Sequence, residues 1–323
     1  MRAKFLLPVV ASLLCSTAPA LAQGFPSRLV KITAPYSGGA APAVYTHMIA
    51  EKLAKLWGQQ VIVDARPGAS GFIAIDAVKN AAPDGHELLV VSNSHLVINP
   101  ALYKKLPYDA QKDFVPAARF YFTPFFLAVA SDGPYTSVPA LIAAAKANPG
   151  RISYGSSYVG SPSHLGSAQF EFLTGTKMIH APYKDQSQMY VAIANHDVGW
   201  AFTTLGSALP LMKAGRIKLI AIGTGERSKS APEVPTLAEA GGPPELTVTS
   251  WLGLAAPRGT PPEVVRRINS DVNRVLADPE MLARMKIFGF EPAPATPEQF
   301  AEAIREEAQR YAEIVRRTGA SAD

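Results

Sequence analysis

The segment Pro35–Pro42 combines residue types that can bind an anion through the backbone. It reads PYSGGAAP and follows a predicted strand at Leu29–Thr33. Its adjacent glycines allow a ligand to approach the chain closely, and the helix that follows offers unpaired amide N–H groups and a positive dipole end. A carboxylate can be bound in this way without an arginine. A plain strand-to-helix turn explains this segment equally well when it is considered by itself.

A second segment, Tyr154–His164, has the same properties and follows a predicted strand at Ile152–Gly155. It contains four serines and two glycines, a dense set of hydroxyl and backbone donors. Hydrogen bonds to a charged group contribute roughly 1.5–3 kcal/mol each, so several can offset the dehydration of an anion. Ligands of open α/β sheets bind at the carboxyl ends of strands, where both segments lie. The pair predicts an anion site between two loops from different lobes.

Motifs typical of other chemistry are absent from the sequence. It contains no Gly-x-Ser-x-Gly elbow, no His-Glu-x-x-His pair, no phosphate loop and no Gly-x-Gly-x-x-Gly turn. Cys15 is the only cysteine, and it lies in the N-terminal segment that is expected to be removed as a signal peptide (below). Disulfides and thiolate metal sites are therefore excluded from the mature chain. The formal net charge is +5 with scattered basic residues, which argues against nucleic-acid binding.

Short apolar runs alternate with amphipathic helical segments along the chain. Continuous apolar runs are typical of parallel strands covered on both faces, so the alternation predicts βαβ units in doubly wound sheets. The last helix is the most clearly marked, because Thr296–Gln299 has the pattern of a capping box. The predicted strands are Leu29–Thr33, Val61–Asp64, Leu88–Ser92, Phe126–Ala130, Ile152–Gly155, Val198–Phe202, Ile217–Ile222 and Leu252–Ala256.

The first 22 residues have the pattern of a secretory signal peptide. Arg2 and Lys4 precede an apolar run at Phe5–Leu14, and Ala20-Leu21-Ala22 provides small residues for cleavage after Ala22. The run is too short to span a bilayer, which needs roughly 20 apolar residues in a helix. We therefore expect a periplasmic protein with its signal peptide (residues 1–22) removed.

The remaining chain is long enough for two lobes. Ala118–Pro124 and Gly223–Thr249 are the least regular stretches and are predicted to cross between the lobes. Lobe 1 would then contain residues 23–122 and 249–323, and lobe 2 residues 123–248. Two crossings of this kind form a hinge, in which a few residues absorb the closing motion.

Taken in order, the motifs resemble those of the Bug family, the extracytoplasmic receptors of tripartite tricarboxylate transporters. The resemblance covers nearly the whole mature chain, from Phe25 to the last helix. Each motif is weak alone, but their order is specific. They are the Gly-Gly loop at 38–39, DARPGASG at 64–71, APDGH at 82–86, INP at 98–100, LPYD at 106–109, the serine loop at 156–163, HAPYK at 180–184, PT at 235–236, EAG at 239–241, and SW to APRGTP at 250–261.

The resemblance implies an α/β, two-lobe periplasmic-binding-protein fold (type II, Venus flytrap) with doubly wound sheets and a hinge. It implies a receptor that captures a small organic carboxylate, either a di- or tricarboxylate or an aromatic acid, and delivers it to the membrane subunits of such a transporter. A monomer without cofactor, metal or enzymatic activity is expected. By position, the ligand-binding residues are Tyr36, Ser37, Gly38, Gly39, Ala40, Asn93, His95, Ser157, Tyr158, Gly160, Ser161, Ser163, Tyr183, Thr203 and Thr204. Core packing is an equal alternative for Tyr183, and helix capping is favoured for His164.

Three positions depart from the family pattern. Ala43 stands where members usually have an aspartate, Tyr158 where a small residue is frequent, and Asp185 where glycine commonly follows the Tyr-Lys pair. Losing an acidic group and gaining a ring should make the cleft less suited to an amino acid. We expect it to favour an apolar or aromatic acid.

Two other roles are weighed against transport. The adjacent pair Ser163-His164 could indicate a periplasmic hydrolase, but nucleophile and base usually come from different loops. A sensor that presents its ligand to a signalling membrane partner would have the same fold and site, and the sequence does not separate sensing from delivery.

Overall fold

The computed structural model describes residues 24–38, 40–183 and 186–322. The predicted signal peptide, Gly39 of the first loop and the departure at Asp185 lie outside the described residues. Within these ranges no helix is long and apolar enough to cross a membrane.

Strands are numbered in chain order, and most coincide with predicted ones to within one or two residues. They are β1 (Val30–Ala34), β2 (Val61–Ala65), β3 (Glu87–Ser92), β4 (Phe114–Pro124), β5 (Phe126–Ala130), β6 (Ser153–Ser156), β7 (Ile179–Pro182), β8 (Trp200–Thr203), β9 (Ile217–Ile222), β10 (Thr249–Pro257) and β11 (Glu291–Pro292).

Helices are numbered likewise, and a 3₁₀ turn at Ala69–Gly71 and a π turn at Ser94–Ile98 interrupt the regular elements. The last helix begins as predicted, because Thr296 and Gln299 form the reciprocal bonds of a capping box. The helices are α1 (Ala41–Trp57), α2 (Phe72–Lys79), α3 (Asn99–Leu102), α4 (Val138–Ala147), α5 (Pro162–Thr174), α6 (Gln186–Ala194), α7 (Leu205–Lys213), α8 (Pro262–Leu276), α9 (Pro279–Phe288) and α10 (Pro297–Thr318).

The strands form two separate sheets, which confirms the two-lobe α/β fold. The sheet of lobe 1 has the order β11-β4-β10-β3-β1-β2, and the sheet of lobe 2 has the order β7-β6-β8-β5-β9. Helices cover both faces of each sheet. In lobe 1, for example, Ile49 of α1 and Ile268 of α8 pack on one face, and Phe300 of α10 packs on the other. Trp200 and Phe170 are completely buried in the core of lobe 2.

The parallel direction expected from the apolar runs holds for only some of the strands. β1 pairs in parallel with β2 and β3, and β6 with β7 and β8, but β10 runs antiparallel to β3 and β4, and β5 antiparallel to β8 and β9. β10 and β5 are the strands next to the crossings, so each enters its sheet from the opposite lobe. A continuous apolar run indicates burial on both faces but does not give strand direction.

The crossings between the sheets lie side by side. β4 ends at Pro124, β5 begins at Phe126, and Pro124 pairs with Thr249, the first residue of β10. Ala118–Pro124, predicted to be irregular, is therefore wrongly assigned, because these residues continue a long strand. The residue boundaries of the lobes remain a prediction.

Candidate functional site

Four of the predicted ligand-binding segments follow strands of the two sheets directly. Tyr36–Ala40 follows β1, Asn93 and His95 follow β3, the serine loop follows β6, and Thr204 follows β8. These are the carboxyl ends of parallel strands, at which open α/β sheets bind ligands.

Ser37 and Gly38, in the segment between β1 and α1, are exposed. The amide of Ala40 donates to the carbonyl of Ser37 at 3.0 Å, which closes a turn before the helix. α1 then begins without a side-chain cap and without an acidic residue in its first turn. Its first amide groups and dipole are therefore available to an anion.

In the serine loop the hydroxyls bond mainly to other groups of the same loop. The Ser161 hydroxyl donates to the carbonyl of Tyr158 at 2.7 Å and accepts from the amide of His164 at 3.2 Å, which makes it the N-cap of α5. Because that proton is used, Ser163 is the donor in its 3.0 Å bond to Ser161. Ser163 also accepts from the amide of Ser157 at 3.2 Å. Ser161 and Ser163 are almost completely buried and form the scaffold of the loop.

Ser157 is the hydroxyl with the least committed proton. It accepts from the side-chain amide of Gln186 at 3.0 Å, and its only possible acceptor in the loop is Ser163 at 3.4 Å. That distance is long for an O–H···O hydrogen bond. Of these three predicted serine contacts, Ser157 is therefore the one whose hydroxyl can donate to a ligand without breaking the loop.

Tyr158 extends from lobe 2 to lobe 1. Its phenol oxygen lies 3.0 Å from the Ser94 hydroxyl in the π turn after β3. Although 43% of the residue is accessible, the hydroxyl end is enclosed, and this burial raises the pKa of the phenol, with nearby Tyr103 adding to the effect. Burial likewise raises the pKa of Tyr36, and the closeness of Tyr158 raises it further. The two predicted loops therefore face each other across the cleft.

The next turn of the serine loop also contacts lobe 1. Gly160 has φ +85°, and a Cβ at this position would lie 2.4 Å from Cδ2 of Leu102 in α3. Only glycine combines this backbone conformation with such a close approach.

Two histidines behind the serine loop fix its shape. His164 Nδ1 accepts from the amide of Gly160 at 3.1 Å, and its ring stacks on His180 at 3.9 Å. Burial, reinforced by His180, lowers the pKa of His164 to about 3, and burial lowers the pKa of His180 to about 4. Both rings are neutral at physiological pH. His164 therefore holds the loop, and Ser161 caps the helix.

The adjacent pair Ser163-His164 does not have the geometry of a nucleophile and its base. Ser163 is bonded to the neighbouring serines, and His164 Nδ1 to the Gly160 amide. Within the described ranges, no group of three or more His, Cys, Asp and Glu side chains could hold a metal ion.

The remaining predicted residues have mainly internal partners. The Asn93 amide donates to the carbonyl of Thr249 at 3.1 Å and accepts from the Ser250 hydroxyl at 2.8 Å, so it connects β3 to the start of β10. Thr203 is buried, with its hydroxyl 3.4 Å from the carbonyl of Phe126. Thr204 is the half-buried N-cap of α7. Tyr183 is half-buried and packs against the buried cluster of lobe 2 that includes Met189 and Ile193 of α6.

His95 is buried at the base of the cleft, 5% exposed. Its Nδ1 accepts from the amide of Ser92 at 3.0 Å, and its ring stands edge-on to Tyr36 at 6.1 Å. Burial lowers the pKa of His95 to about 4.

Several residues on the lobe 1 side of this cleft were not predicted from the sequence. Ser94, Leu102 and Tyr103 contact the serine loop or approach it, and the Ser70 hydroxyl lies 2.8 Å from that of Tyr103. Ser70 belongs to the DARPGASG motif, which contributed only to the family resemblance. Its position after β2, before an uncapped helix, is the signal that could have identified it.

A groove of about 650 Å³ lies elsewhere, on the outer side of α1 and β2, and shares only Gly38 with the predicted loops. Val44, Met48 and Ile62 line it together with Glu51. The Glu51 carboxylate is paired with the Lys55 ammonium at 2.8 Å, and among the described residues no lysine or arginine lines the groove. It is therefore poorly suited to an anion.

Comparison with known proteins gives consistent matches. A family profile described as "Tripartite tricarboxylate transporter family receptor" matches residues 46–320. "Protein BugT" of Bordetella pertussis is 32% identical over 304 residues, which are 94% of this chain and 93% of that protein.

Two solved structures have the same fold. An R. palustris protein determined with adipate superposes with a TM-score of 0.83 at 30% identity, covering 92% of this chain and 99% of that one. MatC from Rhodopseudomonas palustris, with bound malate, has a TM-score of 0.79 at 28% identity, covering 90% and 100% respectively. Both were solved with a small carboxylate.

Proposed function

The chain belongs to the tripartite tricarboxylate transporter receptor family, and from this membership we propose that it captures a small organic carboxylate in its interlobe cleft and delivers it to the membrane subunits of such a transporter. The observation that carries the proposal is the position of the serine loop. Tyr158 and Gly160 of lobe 2 reach Ser94 and Leu102 of lobe 1 beside the segment after β1.

The chemistry of the cleft supports an anionic ligand. The amides of the first turn of α1 and the hydroxyl of Ser157 are neutral donors that approach from the two lobes. Preorganised neutral dipoles can stabilise an anion in an enclosed site. The related proteins solved with adipate and with malate support the same class of ligand.

The ligand is further proposed to lack an amino group. α1 has no acidic residue in its first turn: Ala43 occupies the position at which the family resemblance implies an aspartate, and Ala43 is completely buried. Tyr36, Tyr103 and Tyr158 provide ring surface around the cleft, which suits an apolar or aromatic body.

The route and state of the protein are also part of this proposal. The leader at 1–22 is proposed to direct export to the periplasm and to be cleaved after Ala22. The mature protein is proposed to act as a monomeric receptor without a catalytic step.

A thermal-shift screen of organic acids tests the proposal. Because a ligand that binds only the folded state raises Tm by mass action, at least one simple dicarboxylic or aromatic acid should raise Tm, and by more than aspartate does. Preference for aspartate over all of these acids would contradict the proposed ligand class. Absence of stabilisation by every acid would contradict the carboxylate receptor.

Uptake experiments separate delivery from sensing. A deletion strain should lose uptake of the stabilising acid. Loss of gene induction with uptake intact would instead make the protein a sensor.

A further inference from the structure

Tyr158 is fixed to lobe 2 through its backbone. Its carbonyl accepts hydrogen bonds from the amide and the hydroxyl of Ser161 at 3.1 and 2.7 Å, and from the Ser156 hydroxyl at 3.2 Å. Ser156 and Ser161 are both almost completely buried. Because donors on both sides of Tyr158 in the sequence converge on one oxygen, the main chain here has a defined position, and the side chain projects from a fixed base.

The other end of the Tyr158 side chain lies against a well-packed part of lobe 1. The phenol oxygen is 3.0 Å from the hydroxyl of Ser94, which is 4% exposed and begins the π turn Ser94–Ile98. Leu96 of that turn belongs to the same buried cluster as Phe300 of α10. The hydrogen bond therefore joins two residues that are each held in place by their own lobe.

This hydrogen bond lies away from the crossings between the lobes. In lobe 2 the crossing strands are β5 and β9, and β6, which precedes Tyr158, is two strands from β5 in the order β7-β6-β8-β5-β9. Adjacent strands are about 4.8 Å apart, so the base of Tyr158 is roughly 10 Å from β5. Rotation about a hinge at the crossings separates Tyr158 from Ser94, and an O–H···O hydrogen bond is lost beyond about 3.5 Å. The bond can therefore form only when the lobes are close together.

We propose that Tyr158 and Ser94 are positioning residues that hold the interlobe cleft closed, and that their hydrogen bond slows release of the ligand. We call this pair the latch. The inference rests on the proposed function, in which the cleft between the lobes holds a carboxylate. Because the latch joins protein to protein, it should contribute equally to the binding of every acid around which the cleft closes.

A double-mutant cycle tests the latch. Tyr158→Phe removes the phenol oxygen and keeps the ring, and Ser94→Ala removes the partner hydroxyl. Ser228→Ala is the control, because Ser228 also donates to the opposite lobe, at 2.8 Å to Glu291, but Glu291 pairs with Phe122 close to the end of β4 and so lies beside a crossing. The affinity of the full mature chain for adipate, malate and benzoate is measured by calorimetry, and the dissociation rate by stopped-flow.

Each latch variant should lose about 3- to 10-fold in affinity for every acid that the wild type binds, mainly through faster dissociation. The double variant should lose no more than twice what either single variant loses, because the same bond is removed in all three. Ser228→Ala should change affinity less than twofold. Unchanged dissociation in Tyr158→Phe, losses that multiply in the double variant, a loss for one acid only, or an equal loss in Ser228→Ala overturns the inference.

A distance measurement on the ligand-free protein tests the latch independently of any ligand. Lys105→Cys in lobe 1 and Lys146→Cys in lobe 2 place spin labels at exposed positions, and the sequence after residue 22 contains no other cysteine. Tyr158→Phe should lower the ratio of closed to open protein about 3- to 10-fold. Identical distance distributions in the labelled wild type and Tyr158→Phe overturn the latch. Binding of none of the three acids contradicts the proposed function, and this comparison then decides the latch separately.

Discussion

Ser157 and Ser161 lie four residues apart in the sequence but have different roles in the serine loop. Ser161 donates to the Tyr158 carbonyl and caps α5, whereas the proton of Ser157 has only a long contact to Ser163. The first hydroxyl stabilises the loop, and the second is available to a ligand.

Ser157→Ala should therefore weaken ligand binding and leave the fold stable. One hydrogen bond to a carboxylate contributes roughly 1.5–3 kcal/mol, which corresponds to about a 10- to 150-fold loss of affinity. Ser161→Ala is the matched control, because loss of an N-cap should lower the free energy of unfolding by about 1 kcal/mol. Calorimetric titration and denaturant unfolding of both variants check this. Equal affinity in Ser157→Ala and wild type would exclude Ser157 as a ligand contact.

Gly160→Ala should reduce affinity by separating the lobes. The added Cβ would lie 2.4 Å from Leu102 Cδ2, at a φ of +85°. Gly175→Ala is the control, since that glycine has φ +62° and no heavy atom within 4 Å of a Cβ. We expect at least a 10-fold loss of affinity for Gly160→Ala and little change for Gly175→Ala. Leu102→Ala in the Gly160→Ala background should restore part of the lost affinity. Equal affinities in the two single variants would show that the contact is not needed.

At the scale of the elements, helix α5 and the loop before it depend on uncharged histidines. His164 accepts from the Gly160 amide and stacks on His180, and both pKa values are lowered, to about 3 and about 4. In the unfolded chain these histidines have a pKa of about 6.5. In the folded chain they bind protons only at a much lower pH. At pH values between these pKa values, proton binding therefore favours the unfolded state.

The free energy of unfolding should be highest above about pH 6.5 and should fall as the pH decreases towards 4. The limiting slope should be about 1.4 kcal/mol per pH unit for each such histidine. His164→Asn can keep an acceptor for the Gly160 amide and removes one titrating group, so its Tm should decline less between pH 7.5 and 5.0. Thermal unfolding across this range checks the slope. A wild-type Tm that is constant from pH 7.5 to 5.0 would contradict it.

The elements themselves could largely be predicted from sequence, because burial and capping are local signals. The capping box at Thr296 gave the start of α10, and the apolar runs gave most strands. The direction of β5 and β10 could not be predicted, since it depends on how the chain crosses between lobes. β4 was missed because Arg119 interrupts its apolar pattern, and its guanidinium instead donates to the carbonyl of Ala293 at 3.0 Å.

The loops of the candidate site were predicted from their glycines and serines, but the partner of each side chain was not. The sequence shows how many hydroxyls the loop contains, but it does not show that those of Ser161 and Ser163 are bonded within the loop. It likewise gave no reason to separate Asn93, which is bonded to β10, from His95, whose Nδ1 accepts from the Ser92 amide. These distinctions depend on tertiary contacts.

On the scale of the whole molecule, the lobes contact each other on several sides. Besides Tyr158 and Ser94, the Ser228 hydroxyl donates to Glu291 at 2.8 Å, and the Arg317 guanidinium lies 5.8 Å from the Phe172 ring. Gly206 at the start of α7 approaches the carbonyl of Phe288 so closely that a Cβ would lie 2.4 Å from its oxygen. A ligand held from both lobes should therefore stabilise one defined arrangement of the two sheets.

The central claim is that the segment after β1 and the serine loop hold the same anion. Gly38 tests it cleanly, because it is exposed, its φ is outside the left-handed region, and a Cβ there would meet no heavy atom within 4 Å. Gly38→Asp places a negative charge beside the site, and Gly38→Asn is nearly the same size and neutral. Two like charges roughly 5 Å apart repel by about 3 kcal/mol at an effective dielectric constant near 20.

The decisive measurement is the calorimetric affinity of these two variants for the acid that most stabilises the wild type in the thermal-shift screen. Gly38→Asn should bind within about threefold of wild type, and Gly38→Asp should lose about 100-fold or more. Equal affinity in Gly38→Asp and Gly38→Asn would mean that the anion is bound somewhere else.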